Sequence, residues 1–359
     1  MKVTFVINEP IQEASGGYKM VYTYADELIN NGDEVLIVYN CHKNRLFSNY
    51  KFPFWIKMQI ANFLAQRGPS WFALNSKVKR KVVSFVSNDT IPDADVVIAT
   101  AADTAESVYR LSGNKGKKYY FVQGYETWVI NEEKLLETYK YPMRIITISK
   151  WLKNTIEKYA NQNVIVVLNG IDGKIFRITK ALEKRNSTSI CMLYHDLESK
   201  GSKEGLKVLK KLKQDFPDLR AHLFGVVKKP SDLPNWIEYT YNATSEELVR
   251  IYNNSAIYLC PSWNEGFGLT GAESMMCGCA LVSTRTTGVM EYADEDSAIF
   301  VDIHDTESMY SACKKLIEGN EKRILLARKG NVRVKALLNY KFAKDKFISI
   351  LHETIDEKA

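Results

Sequence analysis

The stretch EGFGLTGAESMMCGCALVSTRTTGVMEYA, residues 265–293, decides how this chain folds. It follows AIYLCPS (256–262), an apolar run that reads as a buried strand. Its small-residue loop passes into a helical pattern that begins near Thr270 and stops at Gly278, and CALVST (279–284) then reads as the next strand. Strand, glycine-bearing loop, helix and strand make a parallel α/β unit. The N-terminus of such a helix carries unpaired backbone N–H groups and about half a positive charge, so the loop suits an anion, and phosphate is the natural guest. Glu265 and Glu273, eight positions apart, would repel a phosphate directly but can accept hydrogen bonds from hydroxyls on either side of it. Hydroxyls that flank phosphates describe a sugar nucleotide. Spacing alone leaves a second reading open, in which Glu265 caps the helix and Glu273 is a solvated surface residue.

Outward from this stretch, the same alternation covers the chain. KVTFVI (2–7) and EVLIVY (34–39) bracket a loop and a helix ended by Gly32, and DADVVIATA (93–101), KKYYFVQ (117–123), RIITIS (144–149) and NVIVVLNGI (163–171) continue the series. The charged stretch 179–189, TKALEKRNSTS, has no apolar period and reads as a linker. The pattern restarts with ICMLYH (190–195), RAHLFGV (220–226) and WIEYT (236–240). With 359 residues, 45% of them hydrophobic, the chain exceeds what one core normally organises. The expected fold class is therefore α/β, two doubly wound Rossmann-like domains facing a central cleft, with ligands at the carboxyl ends of the strands. In NYKFAKDKFISILHETIDEKA (339–359), Tyr340, Phe347, Ile350 and Leu351 fall near one helical face.

Composition excludes several classes. The six cysteines are scattered, and Cys277 and Cys279 form a C-x-C without a second pair or a histidine at metal-ligand spacing. They read as reduced, mostly buried thiols, which implies a cytoplasmic protein. The opening apolar run is shorter than a signal peptide requires, and no stretch reaches the length of a membrane span. Asp93 and Asp95 abut a buried strand and read as turn residues, not as a metal-binding D-x-D. SGG (15–17) lacks the spacing of dinucleotide or P-loop fingerprints. The five histidines do not pair at ligand spacing, so no metal is expected, and His222, in an apolar strand, reads as a satisfied core residue.

At residues 265–293 the sequence resembles the retaining GT-B glycosyltransferases of the large family 4, the glycosyl transferases group 1. The likeness rests on the E-x7-E pattern with EGFGL inside it, and extends to SGGYKMV (15–21), ITISKWLK (146–153), VLNGID (167–172) and YHDLESKGSKEGL (194–206). It implies transfer of a sugar from a nucleotide-sugar donor to an acceptor, with retained configuration and no cofactor or required metal. Residues 1–178 with 340–359, the terminal helix crossing back, would form the acceptor-binding domain, and 179–339 the donor-binding domain. The resemblance implies that Glu273 binds the donor ribose, Glu265 the sugar hydroxyls near the reacting carbon, and Lys200 the diphosphate. Phe267, Gly268 and Leu269, with Thr270 at the helix start, would offer backbone N–H groups, and Gly16 and Gly17 would form a loop over the diphosphate.

Two positions depart from the family pattern. His195 stands where an arginine is usual, five residues before Lys200, so that Lys203 or a protonated His195 would have to supply the missing charge. After the strand 117–123 a histidine is replaced by VQGYETW, making Gln123, Tyr125 and Glu126 candidates for contact with donor sugar or acceptor. Packing of Tyr125 and Trp128 under a loop is the other reading. This variant resembles a subgroup associated with rhamnose-containing and related bacterial surface polysaccharides.

A sugar-nucleotide epimerase or hydrolase of the same fold is the rival among enzymes. The net charge of +7 also admits a basic nucleic-acid-binding protein, but the acidic pair in the anion loop and the lack of a nucleic-acid motif argue against it. Charge patterning points elsewhere: residues 35–88 contain no Asp or Glu, while Lys43, Arg45, Lys51, Lys57, Arg67, Lys77, Lys79, Arg80 and Lys81 interleave with Phe47, Phe52, Phe54, Trp55, Phe63, Trp71 and Phe72. Cations and interfacial rings together suit an anionic membrane surface. The expectation is a peripheral face at 43–81, at the inner side of the cell membrane, with a lipid-linked glycan as acceptor. Local packing of the aromatics with solvated cations is the alternative.

Overall fold

The structure is a computed structural model that describes residues 1–356. It divides into two compact units, Met1–Leu168 with the chain from Phe342 onward, and Asn169–Lys341.

The first unit runs β1 (Lys2–Asn8), α1 (Gly16–Asn30), β2 (Glu34–Asn40), α2 (Phe54–Arg67), β3 (Lys79–Val83), β4 (Val96–Ala99), α3 (Ala102–Tyr109), β5 (Lys117–Val122), α4 (Glu132–Tyr139), β6 (Arg144–Thr147), α5 (Lys150–Ile156) and β7 (Ile165–Val166). Its seven strands lie parallel in the order β3-β2-β1-β4-β5-β6-β7. Every residue of β4 is buried, as expected of a strand covered on both faces. The order reverses at β1, so β1 and β4 flank the topological switch point.

The second unit continues with β8 (Ser189–Leu193), α6 (Ser202–Asp215), β9 (Arg220–Gly225), β10 (Ile237–Tyr241), α7 (Ser245–Asn254), β11 (Ile257–Cys260), α8 (Leu269–Met276), β12 (Ala280–Thr284), β13 (Ala298–Val301), α9 (Thr306–Glu318) and α10 (Asn320–Leu337). Its six parallel strands follow the order β10-β9-β8-β11-β12-β13, with the reversal at β8 and β11. Ile190, Met192, Leu223, Ile257, Leu259 and Val282 from the sheet meet Val208, Leu209 and Leu212 of α6 in one buried core.

The last helix, α11 (Tyr340–Asp356), packs on the first unit. Phe347 is fully buried, stacked on Tyr24 at 3.8 Å between ring centroids and set edge-on to Phe121. Lys344 pairs with Glu27 at 2.6 Å and the Tyr119 hydroxyl donates to the Ile350 carbonyl. Burial of a phenylalanine of this kind stabilises by roughly 1.5–3 kcal/mol.

Residues 179–189 are not a bare linker. Asn253 Oδ1 accepts the backbone N–H of Thr179 at 2.7 Å, Leu182 is buried, and the buried Arg185 donates to the carbonyls of Lys180, Tyr252, Ser255 and Cys277. An arginine with five donors can satisfy the loose carbonyls at two helix ends at once, which hydropathy cannot reveal. The same contacts hold 169–178 to the second unit, where Phe176 faces Tyr252.

The cationic stretch resolves into a buried and an exposed set. Trp71 is buried against Tyr22, and Lys57 donates to the Phe47 carbonyl at 2.9 Å. Arg45, Lys79 and Arg80 are tied to Glu9 with Asp103, to Glu34 and to the Gln66 carbonyl respectively. Trp55 and Phe63 of α2 stay 63% exposed each, joined by Tyr50, Phe52 and Phe85. The expectation that Trp55 and Trp71 share a surface is therefore corrected: packing against α1 claims Trp71.

Candidate functional site

The carboxyl ends of β8 and β11, on either side of the reversal, carry the site of the second unit. The loop after β8 makes a single 3-10 turn, Glu198–Lys200, and enters α6 through Gly201. Gly201 has φ 63°, and a Cβ there would lie 2.0 Å from the Pro261 carbonyl oxygen, so only glycine lets this loop touch the loop after β11. Trp263 N–H donates to the Ser199 carbonyl at 2.7 Å, fixing the two loops together.

Between them, Lys200 Nζ donates to Glu265 Oε2 at 2.9 Å, and Ser262 Oγ donates to Glu265 Oε1 at 2.7 Å. Glu265 is 8% exposed, so one carboxylate oxygen is committed to the lysine and the other to the hydroxyl. Gly268 then turns the chain into α8 with φ 81° and ψ 52°, and no side chain caps that helix. The Tyr292 hydroxyl donates to the Gly268 carbonyl at 2.8 Å, and the Tyr258 hydroxyl donates to Thr270 Oγ1 at 2.8 Å, so the first turn is held from the side by two buried tyrosines. Phe267 packs 5.3 Å from the Tyr292 ring. The helix begins at Leu269, one residue before the expected start.

Glu273 lies on α8 and is 2% exposed. After burial, its charge adds to the raised pKa of Tyr252, Tyr292 and Cys277, the neighbouring Cys260 and Glu265 acting ahead of it on Tyr292 and Cys279 on Cys277. His195 is clamped by Ser202, whose Oγ accepts from His195 N–H at 2.8 Å and donates to the His195 carbonyl at 2.9 Å. Its ring Nδ1 accepts the Leu197 N–H at 2.9 Å. Burial first, then Lys200, lowers its pKa. Lys203 is exposed in the first turn of α6.

The structure thus gathers His195, Lys200, Glu265 and residues 267–270 at one end of one sheet, with Glu273 one to two turns along α8. Sequence reasoning missed the second tier. Trp263 Nε1–H donates to Glu204 Oε2 at 2.8 Å, and Glu204 Oε1 bonds His304 Nδ1 at 2.8 Å. Ser262 was also missed; a serine three before a glutamate in a strand-to-helix loop is the signal it left.

In the first unit, Gly16 and Gly17 are the opening residues of α1, and Gln123 Nε2 donates to the Gly17 carbonyl at 3.1 Å. Two residues singled out separately are thus in contact. Glu126 Oε2 accepts the N–H of Ala102, the first residue of α3, at 2.7 Å. Burial nevertheless pushes the Glu126 carboxyl up to about 7, and the neighbouring Asp103 charge adds to the rise. The Tyr125 hydroxyl donates to Glu132. Asn8 Nδ2 donates to Asp103, and Arg45 bridges Asp103 and Glu9, a network at the ends of β1 and β4 that composition alone hid. Asp93 pairs with Lys115, and Asp95 accepts from Lys2 N–H, as turn residues do. His222 is satisfied by Thr240 and Glu238. Among the described residues no group of three His, Cys, Asp or Glu could hold a metal ion, and no helix is long and apolar enough to cross a membrane.

Residues 174–332 match the family model of Glycosyl transferases group 1. The match contains the whole Lys200, Glu265 and Glu273 constellation. A curated relative, D-inositol 3-phosphate glycosyltransferase of Corynebacterium jeikeium (strain K411), is 39% identical over 82 residues, 23% of this chain and 20% of that protein. The chain spans about a fifth of the length of the curated relatives it matches first. Among solved structures, sucrose-phosphate synthase from Thermosynechococcus elongatus superposes with a TM-score of 0.76 at 12% identity, over 99% of both chains. Anabaena Alr3699/HepE in complex with UDP and glucose superposes with a TM-score of 0.73 at 12% identity, over 98% of this chain and 100% of that one. The fold is the GT-B architecture of these glycosyltransferases, built from two Rossmann-like units.

Proposed function

We propose that this chain is a retaining glycosyltransferase of family 4 that moves a sugar from a nucleotide-sugar donor to a glycan acceptor without a metal. The observation that carries the reading is the Lys200–Glu265 pair, 2.9 Å long and partly buried, beside the uncapped start of α8. The family match over the second unit and the shared fold support it.

The costly event in such a transfer is cleavage of the bond between sugar and diphosphate, which puts negative charge on the leaving oxygen. Lys200 and the backbone N–H groups at 267–270 are fixed donors that meet this charge without reorganising. For that, Lys200 leaves Glu265, whose freed carboxylate then accepts from sugar hydroxyls. Glu273 takes the ribose, and Lys203 and His195 flank the diphosphate. No side chain is assigned as nucleophile; the acceptor enters on the face the leaving group vacates, and the diphosphate oxygen takes its proton.

The acceptor belongs to the first unit, near Gln123, Tyr125 and Glu126. We assign it as lipid-linked, in bacterial surface polysaccharide synthesis at the inner face of the membrane, because α2 presents Trp55 and Phe63 from a stretch without carboxylates. Incubation with a labelled nucleotide sugar, with and without a glycan acceptor, tests the reaction class. A transferase forms a product of retained anomeric configuration, seen in its anomeric proton coupling, only when acceptor is present. Release of nucleotide and epimerised or free sugar at the same rate without acceptor would assign the epimerase or hydrolase reading instead.

A further inference from the structure

We propose that His195 meets the donor diphosphate as a neutral hydrogen-bond donor through Nε2–H, and that the backbone N–H of Leu197 keeps it from becoming a cation. The inference rests on the donor-site reading above and, of the two substitutes for the usual arginine charge, leaves Lys203.

Neutral imidazole has one donor and one acceptor nitrogen, and the partner of one fixes the tautomer of the other. Nδ1 of His195 accepts from Leu197 N–H at 2.9 Å, so its lone pair is engaged and the ring proton is on Nε2. Protonation would place a second N–H at Nδ1, facing the Leu197 N–H, and the 2.9 Å bond would be lost. Ser202 Oγ holds both its backbone N–H and its carbonyl, which fixes the main chain from which the ring reaches the Leu197 N–H. The charged groups around the ring are Lys200, which opposes protonation, and Asp196 and Glu265, which favour it. Burial sides with Lys200, and the ring is held below the usual histidine range.

The consequence is a diphosphate site whose positive charge comes from Lys200 and Lys203, with His195 adding a neutral donor. The His195 contribution to binding should then respond little to salt and should not grow as pH falls.

Two measurements test this. The first is a long-range proton–nitrogen correlation spectrum of histidine-labelled protein, with the His195 signals identified by their loss in His195→Gln. The Nε2–H pattern is expected at pH 7, with and without saturating UDP, and no imidazolium pattern down to pH 6. An Nδ1–H pattern, or imidazolium in the UDP complex, overturns the proposal. The second is titration calorimetry with UDP at pH 8, where the charge of UDP is constant. His195→Ala should weaken binding roughly 3- to 10-fold, and His195→Gln, which restores one N–H donor, should recover most of that loss. If His195→Gln is as weak as His195→Ala and only His195→Arg recovers, charge is the function and the proposal fails. If UDP, GDP, dTDP and ADP all fail to bind the unaltered protein, the donor-site reading falls, and the proposal with it. Cation chemistry at His195 with binding intact removes the proposal alone.

Discussion

Lys200 Nζ and Glu265 Oε2 stand 2.9 Å apart, each supplied by a different loop at the carboxyl end of the second sheet. The pair neutralises the site until a guest arrives. On the proposed reading a diphosphate would compete for the lysine and sugar hydroxyls for the carboxylate, so that a single sugar nucleotide would satisfy both residues together, where a ligand for one alone would leave the other charge unpaired. A double-mutant cycle with Lys200→Met and Glu265→Gln should show coupling of roughly 0.5–3 kcal/mol in urea unfolding. Additive effects would mean that the pair is not formed in solution. In steady-state kinetics Lys200→Met should lower kcat more than it raises donor KM, because the charge it faces grows in the transition state.

Gly268 sits at φ 81°, and a Cβ there would lie 3.1 Å from both the Tyr292 hydroxyl and Val289 Cγ2. Gly268→Ala should therefore destabilise the protein by roughly 1–2 kcal/mol from the left-handed backbone alone, read as a lower urea midpoint. The substitution should also displace residues 267–270, so nucleotide affinity should fall in the same variant. An unchanged midpoint would show that the loop relaxes freely.

Burial pushes the Glu126 carboxyl up to about 7 in the folded protein, above the ordinary glutamate value of 4.5. Its folded value lies above its unfolded one, so its contribution is fully present below about pH 4.5 and is lost as pH rises through about 7. Relative to Glu126→Gln, the unaltered protein should lose up to about 3 kcal/mol over that window, and less to the extent that water reaches the carboxyl. Urea unfolding of both proteins at pH 4.5, 6 and 7.5 reads the difference. Parallel stability profiles would place Glu126 in water.

Much of the α/β alternation was legible because a strand covered on both faces reads as an unbroken apolar run, as in VVIA of β4 and IYLC of β11. The strand β3 was not, since KRKVV is an edge strand with only Val83 buried, and its lysines and arginine read as surface charge. Arg185 shows the limit more sharply: its role is to donate to carbonyls from three separate segments, and nothing in the local sequence of 179–189 announces them. At the site, residue types and spacing picked out Lys200, Glu265 and Gly268 through a family pattern. Glu204 and His304, 100 residues apart, meet only because α6 and the loop after β13 converge on Trp263.

The exposed rings on α2 carry their own prediction. Sedimentation with anionic vesicles should show binding that salt weakens, and Trp55→Ala with Phe63→Ala should reduce it without lowering stability, because both rings are 63% exposed. Trp71→Ala should instead destabilise the fold by roughly 3–5 kcal/mol as a buried aromatic. Absence of binding at low salt would leave a soluble glycan as the acceptor.

The most direct test of the donor site is a thermal-shift and calorimetric comparison of UDP, GDP, dTDP and ADP on the unaltered protein and on a Lys200→Ala, Glu273→Ala double variant. One nucleotide should bind clearly better than the rest and stabilise the protein by about 2.7 kcal/mol at a hundred times its dissociation constant. The same nucleotide should lose at least about tenfold in affinity for the folded double variant, since each charged contact is worth roughly 1.5–3 kcal/mol. Silence from all four nucleotides, or equal affinity for the variant, would contradict a nucleotide-sugar site built on Lys200 and Glu273.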